Sequence, residues 1–227
     1  FINEQIAQLK EEDAKRVAII KKFYPEEYED ILEESKNISD IGITSVWLPP
    51  AYKASDGING VGYAVYDLYD LGEFDQKGAI RTKYGTKEEY LNAIKSLQEN
   101  GVKVFADIVL NHRLGADGTE EVYAIEDLPS DRNVDISKPF PIQAWTKYEF
   151  PGRRGKYSDF KWNWTHFHGV DWDEFQKRSS IYKFYGKHWD KDVDKENGNF
   201  DYLMGADIDL NNVDAVSYTH LPSPRDS

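Results

Sequence analysis

The 227-residue sequence contains no cysteine. Disulfide bonds and thiolate metal sites are therefore excluded, and the redox compartment stays open. No apolar run approaches the roughly 18 residues that a membrane-spanning helix needs. Basic residues are scarce beside acidic ones, 28 against 41, which gives a formal net charge of −13. Nucleic acids and anionic membranes both bind preferentially to basic surfaces, so we expect neither as a partner. Secreted and cytoplasmic locations both stay open.

The first half of the chain alternates amphipathic helices with short apolar strands. Apolar residues at helical spacing predict a first helix that stops at Gly42: Tyr28, Ile31, Leu32, Ile38 and Ile41. The β-type run ITSVWL (43–48) follows, and a capping box of Thr86 and Glu89 opens a second helix. Its inward residues are predicted to be Tyr90, Leu91, Ile94 and Leu97. A strand over 102–110 comes next, so the order predicts an α/β fold with a parallel sheet.

Two features indicate a functional site at one edge of this sheet. The stretch between Pro49 and Thr86 is rich in aromatics, and a connection of about 35 residues is usually functional or disordered. The strand 102–110 ends in DIVLNH, a buried-looking apolar run bracketed by Asp107 and by Asn111 and His112. Both features follow the carboxyl ends of strands, where parallel α/β folds place their sites.

After His112 the composition changes. It becomes rich in Trp, Tyr, Phe, Gly and Pro, which predicts an irregular or β-rich subdomain with one helix-like stretch near 171–184. Between Asp190 and Asp214, eight acids face two lysines. Carboxylates so closely spaced are either solvated or bridged by a hard cation such as calcium, which takes oxygen ligands. An EF-hand loop is a poor match, because Lys195 stands where that loop needs glycine.

Five long motifs, in the same order, resemble the liquefying type of bacterial α-amylase: GITSVWLPPAYK, VGYAVYDLYDLGEFDQKGAIRTKYGTKEE, DIVLNHRLGADGTE, FPGRRGKYSDFKWNW and ENGNFDYLMGADIDL. The resemblance runs from about Ile38 to Asp209. It implies an incomplete (β/α)8 TIM barrel, of which the first strands are present, with an irregular or β-rich B domain inserted after the third strand. The implied division is 1–110 for the barrel part, 111–212 for the B domain and 213–227 for a tail.

The resemblance also implies an activity and a substrate site. The activity is retaining, endo-acting hydrolysis of α-1,4-glucosidic bonds in starch, glycogen or malto-oligosaccharides, by a protein that is a monomer at full length. Tyr63 would stack on the sugar at the cleavage site, and a planar ring suits a pyranose face. His112 would hydrogen-bond the same sugar, and Asp107 would be a buried acid that orients site residues.

The same resemblance implies that Ca2+ is the cofactor. Asn111, Asp201 and Asp207 would share the main calcium ion. Asp190 and Asp209 would be ligands of a neighbouring metal cluster. His168, however, stands where the secreted liquefying enzymes usually carry an aspartate of that cluster. The departure concerns the additional calcium and sodium and leaves the main calcium ion unaffected.

The two ends of the chain depart from the family pattern. The N-terminal region lacks the aromatic first strand of the family. After ADIDLNNVDAV the sequence reads SYTHLPSPRDS, without the helix and Arg-x-Asp strand of the family, and residues 217–227 are interpreted as an artefactual tail. Retaining glycosidases need two carboxyls about 5 Å apart, and no acid of this chain is assigned to either role. Two functions therefore stay open, the inactive N-terminal portion of an α-amylase or a non-catalytic calcium- and glycan-binding module.

Overall fold

The computed structural model describes residues 27–190 and 203–219. In these ranges the helices are α1 (Tyr28–Asp40), α2 (Lys87–Glu99) and α3 (Val213–Thr219). The strands, in chain order, are β1 (Ser45–Leu48), β2 (Lys53–Ala54), β3 (Val65–Asp67), β4 (Lys103–Ala106), β5 (His112–Arg113), β6 (Gly118–Leu128), β7 (Asp131–Asp135), β8 (Phe140–Lys147), β9 (Phe167–Asp173), β10 (Arg178–Phe184) and β11 (Ala206–Ile208). None of the described helices combines the length and apolar character that crossing a membrane requires.

The first part of the chain forms the predicted strand, helix, strand unit. β1 and β4 pair in parallel, with Ser45 opposite Lys103 and Leu48 opposite Ala106. The capping box at the start of α2 is present, since Thr86 accepts from the Glu89 backbone and Glu89 accepts from the Thr86 backbone. α1 packs on α2 around a small core that also includes Leu48. The prediction of a parallel α/β unit is confirmed.

Three details of that prediction were wrong. The strand predicted over 102–110 is shorter and ends at Ala106, and Ile108 and Leu110 are exposed rather than buried. Asp107 is half-buried, not a buried acid. Leu91, which was predicted to point inward on α2, is exposed, and so are Leu32 and Ile41 of the helical pattern that ends at Gly42. Each helix carries an apolar stripe, and among the described residues the neighbouring helix and the two parallel strands cover only part of it. Some residues of each stripe therefore stay exposed although the pattern predicts their burial.

The second part of the chain is a larger, mostly antiparallel sheet. Its strand order is β5-β11-β9-β10-β6-β7, and β8 pairs with the other stretch of β6. This agrees with a β-rich subdomain, but the helix-like stretch predicted near 171–184 is a β-hairpin of β9 and β10. Tyr182 and Phe184 are buried at alternate positions of β10. In a run this short, the two-residue alternation of a strand and the three- to four-residue spacing of a helix are hard to tell apart.

Aromatic side chains fill the core between this sheet and the long connection before α2. Phe150 and Trp162 are buried there, and α3 adds Tyr218, whose ring stacks 6.1 Å from that of Phe150. α3 therefore runs past residue 217, where the predicted tail begins. The division into 1–110, 111–212 and 213–227 stays a prediction.

Candidate functional site

The residues predicted to bind substrate lie together at the carboxyl end of β4. The hydroxyl of Tyr63 donates to Asp107 Oδ2 at 2.7 Å. The backbone carbonyl of Tyr63 lies 2.9 Å from His112 Nε2. The connection before α2 thus closes over the segment that follows β4, and it does so through Tyr63. Three residues separated by up to 49 positions meet in one place.

A buried lysine holds this connection in shape. The ammonium of Lys53 is fully buried and donates to the carbonyls of Ala79 and Ile80 at 2.6 and 2.5 Å. It also lies 3.5 Å from the Asp70 carboxylate, which is equally buried. Burial lowers the pKa of Lys53, and the Asp70 charge partly opposes that effect. A buried cation with these acceptors ties β2 to the irregular segment that follows β3.

The imidazole of His112 is set up to be neutral. Burial lowers its pKa, the contact with the Tyr63 carbonyl opposes this, and the charge of Arg113 lowers it further. With Nε2 facing a carbonyl oxygen, Nε2 is assigned as the protonated nitrogen. The side chain is 5% exposed, so its environment is already largely free of water. In this structure the Nε2–H is used by the Tyr63 carbonyl, so the predicted hydrogen bond to a sugar would need that contact to open.

Asn111 and Asp207, two of the predicted calcium ligands, lie on neighbouring segments. Asp207 is paired with His112 in the β5–β11 ladder, and the next residue, Ile208, donates its backbone N–H to the Asn111 carbonyl at 3.0 Å. Asp207 is 1% exposed. An amide oxygen and a buried carboxylate are the hard oxygen donors that calcium prefers, so these residues fit the predicted ion. Asp201, the third predicted ligand, lies outside the described residues.

Asp190 and Asp209, predicted for a second metal cluster, lie around His168. Nδ1 of His168 is 3.0 Å from Asp207 Oδ2, and its Nε2 is 3.0 Å from Asp209 Oδ1 and 3.7 Å from Asp190 Oδ1. Burial alone would lower the pKa of His168, but the bond to Asp207 and the nearby carboxylates raise it overall. Within residues 27–190 and 203–219, no three or more His, Cys, Asp and Glu side chains are arranged to hold a metal ion.

A tryptophan pair on the β-rich sheet was missed at the level of sequence. The indole N–H groups of Trp145 and Trp172 both donate to Glu174 Oε2, at 3.1 and 2.9 Å. A pocket of about 370 Å³ opens beside them and is also lined by Arg113 and Asp171. Nothing in the local sequence signals this pair, because 27 residues separate the two tryptophans.

Contacts between Gln143 on β8 and the end of β9 bring the two tryptophans together. Asp173 accepts the backbone N–H of Gln143, and Glu174 donates its backbone N–H to the Gln143 carbonyl at 2.9 Å. One residue that lines the pocket also has nitrogen atoms without a hydrogen-bond partner among the described residues. Arg113 is fully buried, and its Nε and Nη2 have no hydrogen-bond partner among the described residues. Apolar walls with a few polar groups are the usual construction of a small-molecule site.

Comparison with known proteins shows which proteins this chain is similar to. Residues 27–204 match the family described as the catalytic domain of alpha amylase. An alpha-amylase from Geobacillus stearothermophilus is 59% identical over 82% of this chain and 34% of its own length. An alpha-amylase from Bacillus licheniformis is 56% identical over 81% of this chain and 36% of its own length. Among solved structures, a truncated alternansucrase from Leuconostoc mesenteroides matches with 30% identity and a TM-score of 0.49, over 56% of this chain and 12% of that one.

Proposed function

Because this chain belongs to the α-amylase family, we propose that it is the N-terminal portion of an endo-acting enzyme that hydrolyses α-1,4-glucosidic bonds of starch and glycogen with retention. The resemblance to the liquefying bacterial enzymes is confirmed by these similarities. The chain spans about a third of the length of the curated relatives it matches. One observation carries the proposal, namely that Tyr63, Asp107 and His112 meet at the end of β4.

Each of these three residues has a role that its geometry supports. The ring of Tyr63 is 46% exposed, so one face is open to a pyranose while its hydroxyl is held by Asp107. A tyrosine fixed in this way loses little conformational freedom when a sugar stacks on it. His112 lies beside it, and its predicted hydrogen bond to the same sugar requires Nε2 to exchange the Tyr63 carbonyl for a sugar hydroxyl. Asp107 contacts the tyrosine rather than the open face, so it acts as a positioning residue.

Calcium is the cofactor that this proposal implies. Asn111, Asp207 and Asp201 would hold it, and its charge would bind the ends of β5 and β11 to the acidic segment between them. The residues proposed to act on the sugar are Tyr63 and His112, and Asp107 positions Tyr63. No nucleic acid or membrane partner is part of the proposal, and the full-length protein is expected to be a monomer.

We further propose that this chain does not hydrolyse starch by itself. Retaining hydrolysis needs a nucleophile and an acid/base about 5 Å apart across the scissile bond. Two buried aspartates of the β-rich part, Asp207 and Asp209, face His168 instead. Neither is therefore available as a nucleophile.

The alternative is a non-catalytic calcium- and glycan-binding module. The observation that favours it is the pocket at Trp145 and Trp172, which has aromatic walls and is also lined by Arg113 and Asp171. Binding at this pocket needs no catalytic carboxylate. The two proposals agree that the chain binds α-glucans, and they differ in whether the site at Tyr63 belongs to a hydrolase.

The test combines a hydrolysis assay with a binding assay. Reducing sugar released from soluble starch should not rise above background with this chain, with or without calcium. Maltoheptaose binding, measured by calorimetry, should weaken about tenfold in Tyr63→Ala, which corresponds to about 1.4 kcal/mol. Tyr123→Ala is the matched control, because Tyr123 is also exposed, 56% against 46%, but lies on β6. Calcium-dependent sugar release would overturn the proposal of an inactive chain.

The binding assay also separates the two functions. If Trp145→Ala abolishes binding while Tyr63→Ala leaves it unchanged, the module is favoured over the hydrolase fragment. If Tyr63→Ala weakens binding as expected, the site at the end of β4 contacts the glycan.

A further inference from the structure

The three aspartates around His168 already have nitrogen donors. The two ring nitrogens of His168 face one oxygen of each carboxylate. Lys187 adds its ammonium at 2.6 Å from Asp209 Oδ2. Asn211 donates its amide N–H to Asp190 Oδ1 at 2.8 Å. Nitrogen groups of this chain therefore already contact each carboxylate of the cluster.

A metal ion at the centre of this cluster would compete with the imidazole for the same atoms. Calcium needs oxygen ligands at about 2.3–2.6 Å on several sides. Asp209 Oδ1 and Asp190 Oδ1, the atoms that would have to turn toward such an ion, face Nε2 of His168. The ring itself is 2% exposed and fills the space between the carboxylates. The residues of this second cluster thus do not fit a metal ion.

The ring is also fixed in its position. Its Nδ1 contacts Asp207, which is held in the β11 strand between β5 and β9. The indole of Trp189 lies against it, with ring centroids 6.4 Å apart. Turning the imidazole out of the cluster would leave three buried or half-buried carboxylates without their shared donor, which is strongly unfavourable.

We propose that the side chain of His168, assisted by Lys187, replaces the second metal ion in this protein, so that Asp190 and Asp209 bind no cation of their own. The inference does not depend on hydrolysis or on the main calcium ion. It predicts that the cluster keeps its geometry when divalent ions are removed. It also predicts that exchanging His168 for an aspartate creates a metal site, since donors are lost and a fourth carboxylate is gained.

The experiment counts calcium ions per chain. Wild type, His168→Asp and the control His188→Asp are dialysed in calcium buffer, and bound calcium is measured by mass spectrometry. His188 is an exposed residue outside the cluster, so its variant makes the same chemical change where no site exists. We expect His168→Asp to bind one more calcium ion than wild type and the control to match wild type. The unfolding temperature of His168→Asp should also rise more with added calcium.

Equal calcium counts in wild type and His168→Asp would overturn the inference. A wild-type count of zero would remove the main calcium ion from the proposed function, while a gain of one ion in the variant would still support the histidine as a replacement. If His168→Asp fails to fold, the wild type decides the question by nitrogen-15 NMR. The ring N–H at Nε2, which faces Asp209, should keep its resonance when calcium saturates the protein. Its displacement on adding calcium would contradict the inference.

Discussion

The hydroxyl of Tyr63 donates a hydrogen bond of 2.7 Å to the carboxylate of Asp107. This contact joins the long connection before α2 to the segment that follows β4. Because the ring face of Tyr63 remains partly open, the bond fixes the aromatic ring without covering it. The geometry of the candidate sugar site therefore depends on one acid that need not touch the sugar.

Tyr63→Phe separates the ring from its anchor. The variant keeps the aromatic face and loses one partly exposed hydrogen bond, so the free energy of unfolding should fall by about 0.5–1 kcal/mol. Maltoheptaose binding should weaken by less than about threefold, because stacking is retained and only pre-organisation is lost. Urea unfolding and calorimetry measure the two effects. A loss of binding as large as that of Tyr63→Ala would show that the hydroxyl, rather than the ring, recognises the sugar.

Gly62, the residue before Tyr63, cannot accept a side chain without moving the site. Its φ is +100°, and a Cβ would lie 2.5 Å from Pro50 Cβ. Gly42 is the matched control, since its φ is +88° but nothing lies within 4 Å of its Cβ position. Gly42→Ala should cost about 1 kcal/mol from backbone strain alone, and Gly62→Ala about 1–3 kcal/mol more. Equal losses in urea unfolding would mean that Pro50 moves freely.

A buried ion pair ties the connection before α2 to the β-rich part. Arg153 Nε donates to Asp67 Oδ2 at 3.0 Å, and both side chains are fully buried. Asp67→Ala leaves the guanidinium without its carboxylate, so we expect a loss of about 3–5 kcal/mol in unfolding free energy. The double variant Asp67→Asn/Arg153→Met should recover part of that loss. A single-variant loss below about 1 kcal/mol would show that the pair is solvated.

Glu73 gives the chain a pH-dependent contact. Partial burial alone would raise the pKa of Glu73. Hydrogen bonds from Lys156, Lys87 and Tyr157 outweigh burial and lower this pKa to about 2. The contact therefore stabilises the fold above pH 4.5, the ordinary pKa of the group, and the effect is lost as the pH falls toward 2.

The comparison of wild type with Glu73→Gln tests this contact. At pH 7 the variant should be about 1 kcal/mol less stable, a value reduced by solvent screening. The difference in unfolding free energy should narrow steadily between pH 4.5 and pH 3. A difference that stays constant with pH would assign the effect to packing of the side chain rather than to its charge.

The sequence by itself determined the βαβ unit and the family. Helical spacing, Gly42 and the Thr86–Glu89 capping box depend on residues within a few positions of one another, so local chemistry dictates them. The motif from Asp107 to His112 is likewise contiguous, so the sequence alone could predict a candidate site there. The limits of such patterns show at Leu91 and Ile108, whose apolar character predicted burial that the described chain does not provide.

Only the tertiary structure decided what the β-rich part contributes. The stretch near 171–184 could have been helix or strand, and its pairing with β6 made it a hairpin. The same sheet places Trp145 beside Trp172, and it places His168 between acids that are 22, 39 and 41 residues away in the chain. These contacts follow from strand register over long sequence separations. Local propensity carries no information about such register, whereas the pairing of strands fixes it.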